Sequence, residues 1–317
     1  MSRNNLIDTL KLICAMLVVF IHCEYPYKAD VLPVTDVAVP LFFAISGYFV
    51  FGVKRKYERI ERIVKIFVWS AALYLLKTEA LHFLSIHQFW FPTFKNITDF
   101  LLFNDVAFSI HLWYLPAYIY VLLIAFYIDK YNIWRRAMCF IIPLLLVGAF
   151  IKCQIVDICP QNIQYFRNAY FNGLPYFLLG AFVKLTPPIT KNNTKKMLAI
   201  ILCLLIVALF IIRYNLTGDC YGQLALKEMN LMFLTFCIMF LVTLVVQKKD
   251  DILSALGRNY SLYIYIFHLL IIQICEMGVT KLPEQIGSLY MYINPLVVLM
   301  LSIAFTYLLG KLKILRV

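Results

Sequence analysis

Long apolar runs recur from Leu6 to Leu309, separated by short segments rich in Lys, Asn and Pro. An α-helix needs about 20 predominantly apolar residues to cross the hydrocarbon core of a bilayer. On that scale the pattern predicts ten spans, at residues 6–23, 37–53, 60–76, 112–128, 137–151, 173–183 with its flanks, 197–212, 229–246, 262–279 and 289–309. The third and sixth are the weakest. Arg62 and Lys65 stand near the start of the third, and the sixth is short and preceded by Asn168 and Asn172. The runs are continuous rather than alternating, which excludes an outer-membrane barrel. The expected fold is therefore all-α: a polytopic membrane helix bundle, with residues 1–317 forming one domain.

Composition agrees. The 317 residues are 63% hydrophobic and 15% charged, against about 45–50% and about 25% in soluble domains. This excludes an ordinary cytosolic enzyme, a disordered chain and a secreted disulfide scaffold. The net charge of +12 fits a topology signal better than a nucleic-acid surface. Lys and Arg concentrate in alternate connections, above all in Lys54, Arg55, Lys56, Arg59, Arg62 and Lys65 after the second span. The positive-inside bias puts that side, and both termini, in the cytoplasm. The longest outer connection, 77–111, holds the aromatic segment His87-Gln-Phe-Trp-Phe-Pro92, an interfacial stretch or a re-entrant lid. No small-residue cleavage site follows the first run, so no cleaved signal peptide is expected. Nine cysteines contain no Cys-x-x-Cys pair. Cys153 and Cys159 flank one loop and are placed to pair if that loop faces an oxidising space.

Ionisable residues inside spans carry the chemical information, because a charge at bilayer depth costs about 2.5–3.5 kcal/mol on insertion scales. The first span holds Asp8, Lys11 and His22, with Glu24 just beyond. Eleven residues make about three helical turns, so Lys11 and His22 share a face, ~16 Å apart along the axis. Two readings stand: a Lys11–Asp8 ion pair with an interfacial imidazole, or a functional stripe. His268 in the ninth span reads as a neutral imidazole bonded between helices or as a lining residue. His111, in His111-Leu-Trp113-Tyr-Leu, sits where an aromatic belt residue would. Arg59 and Arg62, three apart on one helix face, serve topology, anionic lipid or a phosphate clamp. Ser46-Gly47 allows a close helix approach or a substrate hydrogen bond. Patterns for a metal site, a Walker A loop, a dinucleotide loop and a nucleophile elbow are missing.

Taken together these segments resemble the acyltransferase-3 family of bacterial membrane acyltransferases, which O-acetylate surface glycans. Lys11 and His22 match its basic-x10-His pattern, with Lys where Arg is commoner. Phe42-Phe43-Ala-Ile-Ser46-Gly47-Tyr48 matches its second-span segment, and Arg59-Ile-Glu-Arg62 its Arg-x-x-Arg motif. His111-Leu-Trp113-Tyr-Leu, Leu174-Pro-Tyr-Phe-Leu-Leu-Gly180 and Tyr260-Ser-Leu-Tyr-Ile-Tyr-Ile-Phe-His268 follow in order. The similarity is greatest to members without an appended extracytoplasmic hydrolase-like domain.

The resemblance implies a multi-pass protein of the bacterial cytoplasmic membrane that uses acyl-CoA, most simply acetyl-CoA, and no metal. Arg59 and Arg62 would hold the donor's phosphates, and the pantetheine arm would run past Lys11 to His22. His22 would act as general base or carry the acyl group. Glu24 would help only if Pro26 has already broken the helix. Ser46, His111, Trp113 and His268 would line the site. The acceptor would be a hydroxyl of an extracytoplasmic or lipid-linked glycan, with no nucleic acid involved. The alternatives are a transporter or flippase of a lipid-linked sugar or small anion, and a structural partner of a glycan-synthesis complex.

Overall fold

The structure is a computed structural model. It describes residues 4–53, 56–158, 162–187, 189, 191–216, 221–245, 249–281 and 283–311. All regular structure among the described residues is helical. The helices are α1 (Asn5–His22), α2 (Lys28–Thr35), α3 (Ala38–Val50), α4 (Lys56–Ile86), α5 (Phe94–Phe103), α6 (Tyr114–Lys130), α7 (Trp134–Met138), α8 (Ile141–Ile158), α9 (Leu174–Leu185), α10 (Asn192–Asn215), α11 (Tyr221–Leu244), α12 (Ile252–Val279) and α13 (Glu284–Lys311).

Among the described residues, eight helical segments are long and apolar enough to cross a membrane. The two predicted spans outside that set are the third and sixth, the two the sequence marks as weakest. α4 is long enough but carries too many charges, and α9 has only 12 residues. Several helices outrun their apolar cores. α12 begins ten residues before its predicted span, because Asp251 caps it in a reciprocal pair with Ser254 and polar residues continue a helix beyond the apolar stretch. The expected loop 77–111 is corrected in the same way: α4 continues through Ile86, and Thr93 caps a further helix, α5, through Asn96. Cys159 lies outside the described residues, and so do Lys54 and Arg55 of the basic run.

The chain divides into two compact units. The first comprises residues 1–45, 187–215 and 233–316. Its centre is α1 packed on α12, with α13 closing an apolar cluster of Leu12, Ala15, Val19, Cys23, Ile264, Ile271, Ile272, Val298 and Leu299. Asp8 meets α12 at Arg258 and His22 meets it at His268, so the two helices run parallel. α2 is tied to the end of α10 by Arg213, which donates to the Pro33 carbonyl at 3.1 Å and to Asp36 Oδ2 at 2.7 Å.

The second unit comprises residues 46–186 and 216–232. Here α6 packs on α4, and α9 packs on α8 and α7. A π-type turn, Ala169–Gly173, leads into α9. Asn168 sets it: its side-chain oxygen accepts the Tyr170 and Phe171 N–H groups, and its Nδ2 donates to the Gln164 and Tyr165 carbonyls. Buried Asn104, at φ +64°, accepts the Ala169 N–H at 3.0 Å.

Candidate functional site

In the first unit, α1 carries chemistry at both ends. Asn4 starts the helix by accepting the Leu6 N–H. Asp8, in the first turn, has no exposed surface. Its carboxylate is shared by two cations, Lys11 Nζ at 2.9 Å and Arg258 Nε at 3.4 Å. Arg258 Nη2 in turn reaches Asp250 at 2.5 Å, and Ser254 Oγ donates to the same Asp250 oxygen at 2.7 Å. These two donors hold the Asp250 carboxyl below the usual carboxylate range. A buried carboxylate persists only if it is paired, and here both partners lie on the α1–α12 contact. Gly257 makes that contact possible, since a Cβ there would lie 1.8 Å from the Asp8 carbonyl oxygen.

At the other end α1 stops at His22. Cys23 turns extended, its N–H bonding the Val19 carbonyl at 3.0 Å, three residues ahead of Pro26. The half-buried His22 ring lies 5.0 Å, centroid to centroid, from that of His268 on α12. His268 is fully buried, and its Nδ1–H donates to the Tyr265 carbonyl at 2.6 Å. A carbonyl only accepts, so Nδ1 carries the proton and the neutral ring keeps its lone pair on Nε2. Asp8, Leu12, Ala15, Val19 and His22 repeat at four- and three-residue steps, the stripe that a packed helix presents to its neighbour.

The structure therefore brings His22 and His268 together, and gives Lys11 the ion pair with Asp8. It does not turn the carboxylate of Glu24 inward: this side chain is exposed and pairs with Lys28 Nζ at 2.7 Å. The helix does end before Pro26, yet the freed segment points Glu24 at Lys28. Cys14, Ala15 and Val18, stacked between Lys11 and His22, are buried, so that stretch of α1 is packed.

In the second unit, Arg59 and Arg62 occupy the first two turns of α4, Arg59 half-buried and Arg62 exposed. Ser46 is half-buried. Gly47 is a close-approach glycine, since a Cβ there would fall 1.8 Å from the Phe177 carbonyl oxygen. His111 is buried in a single 3-10 turn, Ile110–Trp113. It bonds Ser109 Oγ at 3.0 Å through Nδ1, and Tyr74 meets its ring edge-on at 4.7 Å. Trp113 is buried under the Arg167 guanidinium, 5.3 Å from the ring centroid. Burial, with Asp99 nearby, pushes the Asp105 carboxyl up.

Sequence reasoning missed Arg258, Tyr74, Arg167 and Asp105. Arg258 precedes the apolar run that begins at Leu262 and so reads from sequence as one more charge of a connection. Its cap at Asp251 was the available signal that the helix starts earlier. Tyr74, Arg167 and Asp105 have no spacing signal. Among the described residues, no three His, Cys, Asp or Glu side chains gather as a metal site would require.

Helices of this length and apolarity, bearing paired ionisable residues within them, define a multi-pass membrane protein. Residues 4–310 match the acyltransferase-3 family, described as an acyltransferase domain, and the chain belongs to that family of acyltransferase-type enzymes. Among curated proteins it is similar to a serine/alanine racemase of Enterococcus gallinarum, 29% identical over 96% of this chain and 45% of the relative. It is also similar to an amino-acid racemase of Enterococcus faecalis, 26% identical over 57% of this chain and 28% of the relative. The chain thus spans less than half the length of these relatives. No solved structure matches it.

Proposed function

We propose that the protein moves an acyl group, most simply acetyl, from cytoplasmic acyl-CoA to a hydroxyl of an extracytoplasmic or lipid-linked glycan. The protein would sit in the bacterial cytoplasmic membrane with both termini inside. The observation that carries this reading is the pair α1–α12: Lys11 and Arg258, ion-paired with Asp8 and Asp250, at one end and an imidazole pair at the other. Transfer across a bilayer needs polar groups at both ends of such a helix pair, with a base where the acceptor hydroxyl waits.

In this reading Arg59 and Arg62 hold donor phosphates through charge-assisted hydrogen bonds. The pantetheine arm passes Lys11, which is paired with Asp8. His22 removes the proton of the acceptor hydroxyl, or first takes the acyl group itself. In the direct course, the hydroxyl oxygen attacks the thioester carbonyl and the C–S bond breaks. The proton held by His22 then passes to the departing thiolate. Because Cys14, Ala15 and Val18 are packed, delivery of the thioester requires that strip of α1 to open.

The test is mass spectrometry of surface glycans from cells with the gene, without it, and with His22→Ala. An added acyl mass, present only with the unaltered gene, is the expected result. Identical glycans in all three strains would overturn the proposal.

A second reading takes up one observation, the names of the curated relatives, a serine/alanine racemase and an amino-acid racemase. The chain would then pass a small amino acid across the membrane, as a transporter. Uptake of labelled serine into vesicles carrying the purified protein, with no consumption of acetyl-CoA, would select it.

A further inference from the structure

We propose that the second unit holds a binding cavity between α4 and α5 for a small amine, an apolar body whose protonated amino group meets the carboxylates of Glu79 and Asp105. The site is independent of the acyl-transfer reading. The space measures about 470 Å³, inside the range of about 300–1,000 Å³ typical of small-molecule sites. The residues around it lie between positions 67 and 108, within one compact unit.

The walls follow from local structure. Phe67, Ala71, Leu75 and Glu79 stand four apart on α4 and line the cavity as one stripe, about 18 Å long at the rise of a helix. α5 and the segment 105–108 supply the other sides. Phe100 of α5 stacks on Phe67, with centroids 6.0 Å apart and planes inclined by 11°. Near Glu79 the chain is tied twice. The Trp90 N–H donates to Glu79 Oε2 at 3.0 Å, and the Trp90 ring meets Phe108 edge-on at 6.1 Å. Thr78 Oγ1 donates to the Phe108 carbonyl at 3.2 Å. These ties hold the space open before any ligand arrives.

Charge decides the occupant. Among the described residues, neither Glu79 nor Asp105 has a cation within ion-pair distance. The nearby cations are engaged elsewhere: Lys95 pairs with Asp99 at 2.6 Å, Arg167 lies over the Trp113 ring and Lys77 over the Tyr74 ring. Asn96, also on the wall, is committed to Thr93 in the α5 cap. A carboxylate beside an apolar space is unfavourable without a counter-charge, and burial pushes the Asp105 carboxyl up. An ammonium supplies the missing charge. The rings of Phe67, Trp90, Phe100 and Phe108 favour the same ligand, because a cation is drawn to an aromatic face. An alkyl or aryl body fills the apolar remainder. A carboxylate or phosphate ligand would instead meet like charge.

The experiment is calorimetric titration of octylamine, octanol and octanoate into the full chain in phosphatidylcholine nanodiscs, with empty discs subtracted. The three probes differ only in head group, and at about pH 7 octylamine is protonated, as a lysine is. Octylamine is expected to bind about tenfold tighter than octanol or better, the yield of one charge-assisted hydrogen bond, and octanoate not at all. Glu79→Gln and Asp105→Asn keep the shape and remove a charge. Each should weaken octylamine about tenfold and leave octanol unchanged. Ala71→Phe fills the space and should abolish binding of both. Thermal unfolding shows which variants keep the fold, and the three probes on the unaltered chain decide the matter if one does not. Equal affinity for amine and alcohol, no octylamine binding, or folded carboxylate variants that bind octylamine as wild type does, overturns the proposal. Adding phosphatidylethanolamine to the discs should leave the octylamine affinity unchanged. Lost affinity there would give the two carboxylates to an aminolipid head group and overturn the assignment to a small amine.

Discussion

Gly257 and the backbone carbonyl of Asp8 are in contact across α1 and α12, and a Cβ on Gly257 would stand 1.8 Å from that oxygen. No rotamer relieves such a clash, because both groups are backbone. The contact sets the helix separation at which Arg258, the next residue, reaches the Asp8 carboxylate. Gly257→Ala is therefore expected to destabilise the protein by about 1–3 kcal/mol, the usual range for overpacking a tight contact. Thermal unfolding in detergent checks this, and a melting temperature equal to wild type would refute it.

Asp8 anchors two cations, so changes there should be non-additive. Asp8→Asn leaves Lys11 and Arg258 without their shared counter-charge, and should cost about 1–3 kcal/mol, the range for stranding a partner. Adding Arg258→Met should restore part of the loss, because removing both members of a pair is less harmful than removing one. A double-mutant cycle on unfolding free energies measures the coupling. Strict additivity would show that the contact is energetically idle.

The stability contribution of Asp250 has a defined sign with pH. Its folded carboxyl is held below its unfolded value by Arg258 and Ser254. The contribution is present above the unfolded carboxylate pKa, about 3.9, and disappears as pH falls through the folded value. Stability of wild type is expected to fall more steeply than that of Asp250→Asn on acidification from pH 6 to pH 3. Parallel curves for the two proteins would count against the pairing.

Arg59 and Arg62, one turn apart at the start of α4, are expected to act on donor binding. Each charge-assisted hydrogen bond lost costs about 1.5–3 kcal/mol. Replacing both by Ala should raise the acetyl-CoA KM at least tenfold, with little effect on kcat. An unchanged KM would leave the pair a topology signal alone.

Lys11→Arg is expected to keep transfer at wild-type rate or better, since the guanidinium retains the charge and adds a planar two-donor fork. Lys11→Met should lose transfer and release Asp8 from its partner at 2.9 Å. Comparing the two variants for acetyl-CoA turnover separates charge from packing.

How much of this was readable in the chain depends on what each interaction needs. Apolar run length alone determined a helical membrane protein, because a bilayer imposes one minimum length on every span. It also marked α4 and α9 as the exceptions. The Lys11–Asp8 pair was legible from local spacing, and the ordered motifs carried the family. Helix ends were not, because capping by Asp251 or Thr93 extends helices past the apolar stretch that reveals them.

Tertiary structure alone decided partners. A membrane helix is apolar on its lipid face and on its protein face alike, so periodicity does not say which stripe meets which neighbour. That α1 lies parallel to α12, some 250 positions away in sequence, is seen only in the fold, where Gly257 and Arg258 meet Asp8 and His268 meets His22. Along the same contact Arg258 joins the Asp8 carboxylate and His22 meets His268. The sequence named the ionisable residues; packing chose which of them face each other.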